Sequence, residues 1–336
     1  MWRTTYGADR SHGVRPDGRV HADSINVRPQ AELARVFDPF EDAARNVGTR
    51  FDAPWTTNVE DVITDPAIDA VVVASPTPTH IDLLSRSLRA GKAVLCEKPI
   101  DLDLERVDTC QAEIGALADR VMLGFNRRFD PSFGDIRARV AAGQIGDLEQ
   151  LVIISRDPAP PPADYVATSG GLFGDMTIHD FDMARFFLGE VVEVTATGAN
   201  LISPDITAAG DIDGAIVVLR GASGALCSIT NSRRCAFGYD QRLEAFGALG
   251  MLAAANQLPT SVRFYGAQST EVAAPYHNFF LDRYTPAYRA EIDHFVNAVE
   301  TDSVPVPGFA DGRAALVLAD AANESLRTAA TVKVNA

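Results

Sequence analysis

The residues best suited to chemistry in this chain lie in one stretch, Gly170-Gly171-Leu172-Phe173-Gly174-Asp175-Met176-Thr177-Ile178-His179-Asp180-Phe181-Asp182. Asp175 and His179 are four apart, so on a helix they share one face. Asp182, three beyond His179, is expected on the same side, while Met176, Ile178, Phe181 and Met183 supply apolar contacts. An imidazole with an ordinary pKa of ~6.5 beside a carboxylate suits a general acid–base relay. The same set could hold a metal. One His with several carboxylates, and no Cys or second nearby His, is however a weak zinc pattern, and no metal is expected. The bland alternative is a helix with buried capping carboxylates and a structural His.

Three further positions stand out where strands should end. In an open α/β sheet, ligands bind beyond the carboxyl ends of the strands. AELARVFD (31–38) reads as a strand ending on Asp38, an acid placed to take the ribose hydroxyls of an adenosine and so to prefer NAD over NADP. AIDAVVVASP (67–76) is a buried strand that runs into the proline-fixed turn Ala74-Ser75-Pro76-Thr77-Pro78-Thr79-His80. That turn could track a flat cofactor, although Thr79 could equally serve only as the cap of the next helix. KAVLCEKP (92–99) puts Glu97-Lys98-Pro99 at a third strand mouth.

The elements that must position these residues alternate over the first third of the chain. Helical stretches 59–66, 79–91 and 102–119 separate the strands with short links, which is the pattern of a parallel sheet covered by helices on both faces. Gly91 is a natural stop for the second of them. After RVMLGFNRRF (120–129) the pattern changes. A helix at 133–146 precedes strands at 148–157, 190–202, 214–234, 240–256 and 259–266, polar on alternate positions and joined by Gly-rich turns. These predict a large, mostly antiparallel open sheet with one wet or interfacial face. PAPPPADY (158–165) reads as a rigid irregular loop, and 287–302 and 309–330 as helices. The fold expected is therefore α/β: a Rossmann-like doubly wound domain over 1–124, then an α+β substrate and oligomerisation domain over 125–336. The C-terminal helices could pack back on the first domain.

Composition excludes several function classes. Of 336 residues, 46% are hydrophobic and 22% charged, a globular profile. No run approaches the ~18–20 apolar residues of a membrane span. The polar N-terminus lacks the apolar core of a signal peptide, so a cytoplasmic location is expected. Thirty Lys and Arg against 45 Asp and Glu give a net charge of -15, which repels nucleic acid. The four cysteines, Cys96, Cys110, Cys227 and Cys235, form no Cys-x-x-Cys pair, so neither a zinc knuckle nor a redox dithiol is indicated.

Taken together, Val73 to Pro78, Glu97-Lys98-Pro99, Asn126-Arg127-Arg128-Phe129, the Gly170–Asp182 stretch and Tyr284…Tyr288…Glu291 resemble the glucose–fructose oxidoreductase/inositol dehydrogenase/rhizopine-catabolism (Gfo/Idh/MocA) family, and within it the inositol 2-dehydrogenases. The resemblance spans nearly all of 18–330. It implies NAD-dependent oxidation of a ring secondary alcohol to a ketone, here myo-inositol to 2-keto-myo-inositol. It implies His179 as base, Asp175 orienting it or binding an adjacent hydroxyl, and Lys98 holding the alcohol oxygen. Asn126, Arg128, Asp180 and Tyr284 would line the polyol pocket. Asp38 would take the ribose, with Ala74, Ser75, Pro76, His80, Glu97 and Lys98 bordering the cofactor. A homotetramer assembled through the second-domain sheet is implied as well, and another cyclitol or sugar is the alternative substrate.

The front of the chain departs from the family pattern. The family requires a strand followed by Gly-x-Gly-x-x-Gly, whose glycines let a pyrophosphate approach the helix. Gly13 and Gly18 match the first and third glycines, but Arg15 stands at the middle one and Pro16-Asp17 follow. Gly7–His12 occupies the expected strand position without β-branched residues. A shifted reading frame over about residues 2–17, a divergence that still binds NAD, and a non-catalytic relative with impaired NAD binding all fit this segment.

Overall fold

The structure, a computed structural model, describes residues 2–7 and 16–334. The chain divides into two compact units, Met1–Phe129 with Thr285–Leu316, and Asp130–Tyr284 with Val317–Ala336.

In the first unit β1 (Trp2–Gly7), α1 (Pro16–Asn26), β2 (Ala31–Phe37), α2 (Glu41–Phe51), β3 (Trp55–Thr56), α3 (Glu60–Ile63), β4 (Ala70–Val73), α4 (His80–Arg89), β5 (Ala93–Cys96), α5 (Leu104–Ile114) and β6 (Val121–Leu123) follow in turn. The six strands form one parallel sheet in the order β3-β2-β1-β4-β5-β6. This is the doubly wound order, with its reversal between β1 and β4. Every residue of β4 and β5 is buried, as apolar, β-branched-rich strands require when helices cover both faces. The chain leaves α4 through Gly91 at φ 84, a conformation in which a side chain is strained. Of the expected strand position Gly7–His12, residues 8–12 lie outside the described residues; the strand Trp2–Gly7 pairs with both β2 and β4, Gly7 standing opposite Phe37 and Val73. Its pairing with β2 and β4 places it at the sheet centre.

The second unit opens on α6 (Pro131–Ala141) and β7 (Leu148–Arg156). Then come α7 (Ala163–Ser169), a π-helical turn (Leu172–Thr177), α8 (Ile178–Leu188), β8 (Val191–Ala199), α9 (Pro204–Ala208), β9 (Gly214–Gly221), β10 (Leu226–Ser232), β11 (Asp240–Gly247), β12 (Gly250–Ala254), the short pair β13 (Arg263–Phe264) and β14 (Val272–Ala273), and α10 (Phe280–Arg283). α11 (Thr285–Glu300) returns to the first unit, where Ile292 and Phe295 join the core of Ile25, Leu33, Val36, Val72 and Leu95. α12 (Phe309–Thr328) and β15 (Val332–Lys333) end the described chain.

The large sheet of the second unit runs β12-β11-β7-β10-β9-β8-β15, antiparallel except for the β7–β10 pair. Burial alternates along β9, β10 and β11, so one face is covered and the other open. Two expectations change here. The proline-rich segment is irregular only as far as Pro162, because a proline just before the first turn suits a helix start and α7 begins at Ala163. Of 259–266, only Arg263–Phe264 is strand. Asp130 caps α6 by accepting the N–H groups of Ser132 and Phe133, at 3.0 and 3.1 Å, and forms a fully buried ion pair with Arg283. No helix among the described residues is long and apolar enough to cross a membrane.

Candidate active site

The first unit places its candidate residues past the carboxyl ends of β2, β4 and β5, where a doubly wound sheet takes its ligand. Asp38 follows β2, and its Oδ1 accepts the Phe40 N–H at 2.8 Å, which fixes the carboxylate at the strand mouth. Past β4, the Ser75 and Thr79 hydroxyls bond each other at 2.6 Å and so hold the Ala74–Ser75–Pro76 turn. His80 is 1% exposed, with Nδ1 2.7 Å from the Pro99 carbonyl and Nε2 2.8 Å from the Ser75 carbonyl. Both partners are acceptors, so both ring nitrogens donate only as the imidazolium. His80 thus ties the turn after β4 to the turn after β5. The tie lies at the strand mouths where the sequence places His80 beside the cofactor.

Glu97 is buried against His21, whose Nε2 lies 2.6 Å from Glu97 Oε1. A Cβ at Gly124 would stand 2.9 Å from the Glu97 carboxyl, so the carboxyl fits only because that position is glycine. Burial pushes the Glu97 carboxyl up. The His21 hydrogen bond and the charges of His21, Lys98 and His80 outweigh burial and hold it below the usual carboxylate range. Glu291 of α11 is fully buried, and its carboxylate oxygens have no hydrogen-bond partner among the described residues. Burial and the neighbouring Glu97 charge push it well above the ordinary value. Lys98 follows Glu97 and is partly exposed, with its main-chain N–H 3.3 Å from Glu97 Oε2.

Acid after β2, prolyl turn after β4 and lysine after β5 suit a dinucleotide laid across the switch point, and buried Gly18 lies in the first turn of α1. Gly13 and Arg15 lie outside the described residues. Asn126 and Arg128 share a 3₁₀ turn after β6; Asn126 is buried, and Arg128 Nη2 donates to Asp311 Oδ1 at 2.9 Å.

In the second unit the acid–base stretch spans the π-helical turn and the start of α8. From Leu172 to Ala184, Asp175 and His179 are the two residues that are not buried. Both are partly exposed, Asp175 in the π-helical turn and His179 in the first turn of α8. Tyr165 Oη donates to Asp175 Oδ1 at 2.9 Å. Asp182 is fully buried and does not share that edge. Asp180 is also fully buried, accepting from Asn231 Nδ2 at 2.7 Å while Thr177 Oγ1 donates to Asn231 Oδ1 at 2.8 Å. Tyr284 is buried and donates to Gln241 Oε1 at 3.3 Å, which also accepts from Ser155 Oγ at 3.1 Å. Both therefore sit in packed polar networks.

Residue reasoning missed His21, Gly124, Tyr165, Asn231 and Arg233. Only His21 carried a local signal, three residues after Gly18 and hence one turn into α1.

Comparison with known proteins adds the following. The description "Oxidoreductase family, NAD-binding Rossmann fold" (GFO_IDH_MocA) matches residues 13–125, and "GFO/IDH/MocA C-terminal domain" matches 133–253. The chain is 47% identical over 310 residues to inositol 2-dehydrogenase of Rhizobium meliloti (strain 1021), covering 92% of this chain and 93% of that one. It is 42% identical over 319 residues to myo-inositol 2-dehydrogenase of Thermotoga maritima, covering 94% and 95%. The crystal structure of a myo-inositol dehydrogenase from Corynebacterium glutamicum ATCC 13032 superposes with a TM-score of 0.96 at 51% identity, over 100% of this chain and 99% of that one.

Proposed function

The chain belongs to the GFO/IDH/MocA family of oxidoreductases, and from that premise we propose that it oxidises myo-inositol to 2-keto-myo-inositol with NAD. The observation that carries this reading is the isolation of Asp175 and His179 as the two accessible side chains in an otherwise buried run. The names of the relatives at 47% and 42% identity support the substrate.

When bound, NAD supplies the hydride acceptor. His179 removes the proton of the reacting hydroxyl as general base, for which it must come within roughly 2.6–3.2 Å of that oxygen. Asp175 accepts from His179 or from an adjacent ring hydroxyl. The Lys98 ammonium holds the alcohol oxygen and stabilises the negative charge that grows there as the carbon gives up its hydride. The C–H electron pair leaves with the hydride, the O–H proton stays on His179, and the carbon–oxygen double bond forms. Asn126 and Arg128 bind ring hydroxyls, while Asp180 and Tyr284 shape the pocket through Asn231 and Gln241. Asp38 takes the adenosine ribose, with Ala74, Ser75, Pro76 and Glu97 alongside.

A second reading, a relative with impaired NAD binding, is favoured by one feature, Arg15 at the middle glycine position. Initial rates at 340 nm with NAD and a panel of cyclitols and sugars, together with calorimetric NAD titration, separate the two. Turnover with myo-inositol ahead of the panel supports the first reading. Absence of both turnover and NAD binding leaves the second.

The open face of the large sheet carries Ile216, Val218, Leu226, Phe246 and Met251, all exposed. We place the homo-oligomer contact there, a tetramer by the family resemblance, because exposed apolar side chains set among Arg220, Ser228, Thr230 and Glu244 suit a covered face.

A further inference from the structure

Arg233 is the first residue past β10 and is 1% exposed. Its Nη1 lies 3.6 Å from Asp175 Oδ2 and its Nη2 3.7 Å from Asp211 Oδ2. Both separations exceed a hydrogen bond, so the attraction is that of charges across a buried gap, where it is stronger than in water.

The arginine is anchored from behind. Its main-chain N–H donates to the Asp213 carbonyl at 2.9 Å. The Asp213 carboxylate in turn accepts the N–H groups of Leu201, Ile202 and Ser203 at 2.8, 2.8 and 3.0 Å. Asp211 is fixed as firmly. Its Oδ1 accepts the Leu172 N–H at 3.0 Å, and a Cβ at Gly171, whose φ is 71, would stand 2.7 Å from that same oxygen. Asp211 thus clamps the start of the π-helical turn that carries Asp175, and Arg233 spans from Asp211 to Asp175.

A guanidinium does not lose its proton in a protein, and when buried it requires opposing charge. Asp175 and Asp211 supply it. We propose that Arg233 is a positioning residue: anchored on Asp211, it holds Asp175 as an ionised carboxylate with Oδ2 turned inward, while Tyr165 fixes Oδ1. Asp175 then meets the reactant as a preset acceptor. This rests on the reading of Asp175 as part of the catalytic set.

The test uses the full chain with NAD and myo-inositol. Arg233→Gln, Arg233→Lys and Asp175→Asn are compared by initial rates at 340 nm, by thermal melting and by NAD titration. Arg233→Gln is expected to lower kcat about 10- to 100-fold, a loss of transition-state stabilisation, with KM changed less than kcat and NAD affinity within about twofold. Arg233→Lys, which keeps the charge, is expected to recover about tenfold of that loss. If Arg233→Gln does not fold, Asp211→Asn probes the same link and is expected to lower kcat/KM about tenfold. An inactive Asp175→Asn beside an Arg233→Gln within about threefold of the parent overturns the proposal and leaves the reading of Asp175 standing. So does an unchanged kcat/KM in Asp211→Asn when Arg233→Gln does not fold. Loss of thermal stability in both Arg233 variants, with the lysine giving no recovery of kcat, also overturns it. A fully active Asp175→Asn removes the catalytic reading and the positioning role with it.

Discussion

His179 owes its assigned role to access as much as to chemistry. Its neighbours on either side are buried, whereas His179 and Asp175 are partly exposed, as the proposed contact with a polyol requires. His179→Ala is expected to lower kcat by ~10²–10⁴, the usual worth of a positioned general base. A loss of less than about tenfold in steady-state rates would count against it. His80 shows the opposite use of the same side chain. Both its nitrogens are committed to carbonyls, and each buried carbonyl left without its donor costs ~1–3 kcal/mol. His80→Ala is therefore expected to destabilise the fold by about 2–4 kcal/mol in urea titrations, and to weaken NAD binding by loosening the turns after β4 and β5. The sequence marked both histidines, because each stands at a strand end or in a helical pattern rich in acid. It could not tell them apart, since that depends on which carbonyls the fold brings to the ring.

At the level of elements, α1, the turn after β5 and α11 meet through His21, Glu97 and Glu291. The two carboxyls respond to pH in opposite senses. Glu97 is held below its ordinary value of 4.5, so the stability it contributes is present above that value and is lost as pH falls through the depressed one. Glu291 is raised above 4.5, so the folded protein binds a proton there that the unfolded chain has released. Its contribution is full below 4.5 and declines as pH rises through the raised value. Glu291→Gln, which mimics the protonated carboxyl, is expected to lose less melting temperature than the parent between pH 5 and 9. An identical pH dependence of the two melting curves would refute this. In the second unit, Asp130→Ala removes both the α6 cap and the partner of a buried arginine. Leaving that charge uncompensated is expected to cost about 3–5 kcal/mol, measurable by denaturant unfolding. Strands β2, β4 and β5 and helices α4 and α5 were legible, β4 and β5 as continuous apolar runs ended by polar or proline-fixed turns, whereas α2 and β3 were not read. The position of β1 was not legible either, although Trp2, Thr4, Thr5 and Tyr6 favour strand; its place at the sheet centre comes from its pairing with β2 and β4.

For the whole molecule, the open sheet face matters most. Ile216, Val218 and Phe246 are 52%, 44% and 41% exposed on one surface of the second unit. Val218→Asp is expected to shift the assembly toward smaller species in light scattering coupled to gel filtration, because a charge at the centre of an apolar contact must be desolvated. A mass distribution unchanged from the parent would remove this face as the oligomer contact. The sequence by itself determined the α/β class, the change of pattern near residue 125, the strand ends bearing Asp38 and Lys98, and the spacing of Asp175 and His179. Each of these is carried by local periodicity or by fixed spacing along the chain. Tertiary structure decided the rest: that His80 braces turns, that Asp180 and Asp182 are buried, that Glu291 stands beside Glu97, and that Arg233 reaches Asp175 from 58 residues away in sequence. Those facts depend on burial and on partners distant along the chain, and a charge reveals its neighbours only after the strands that carry them have paired.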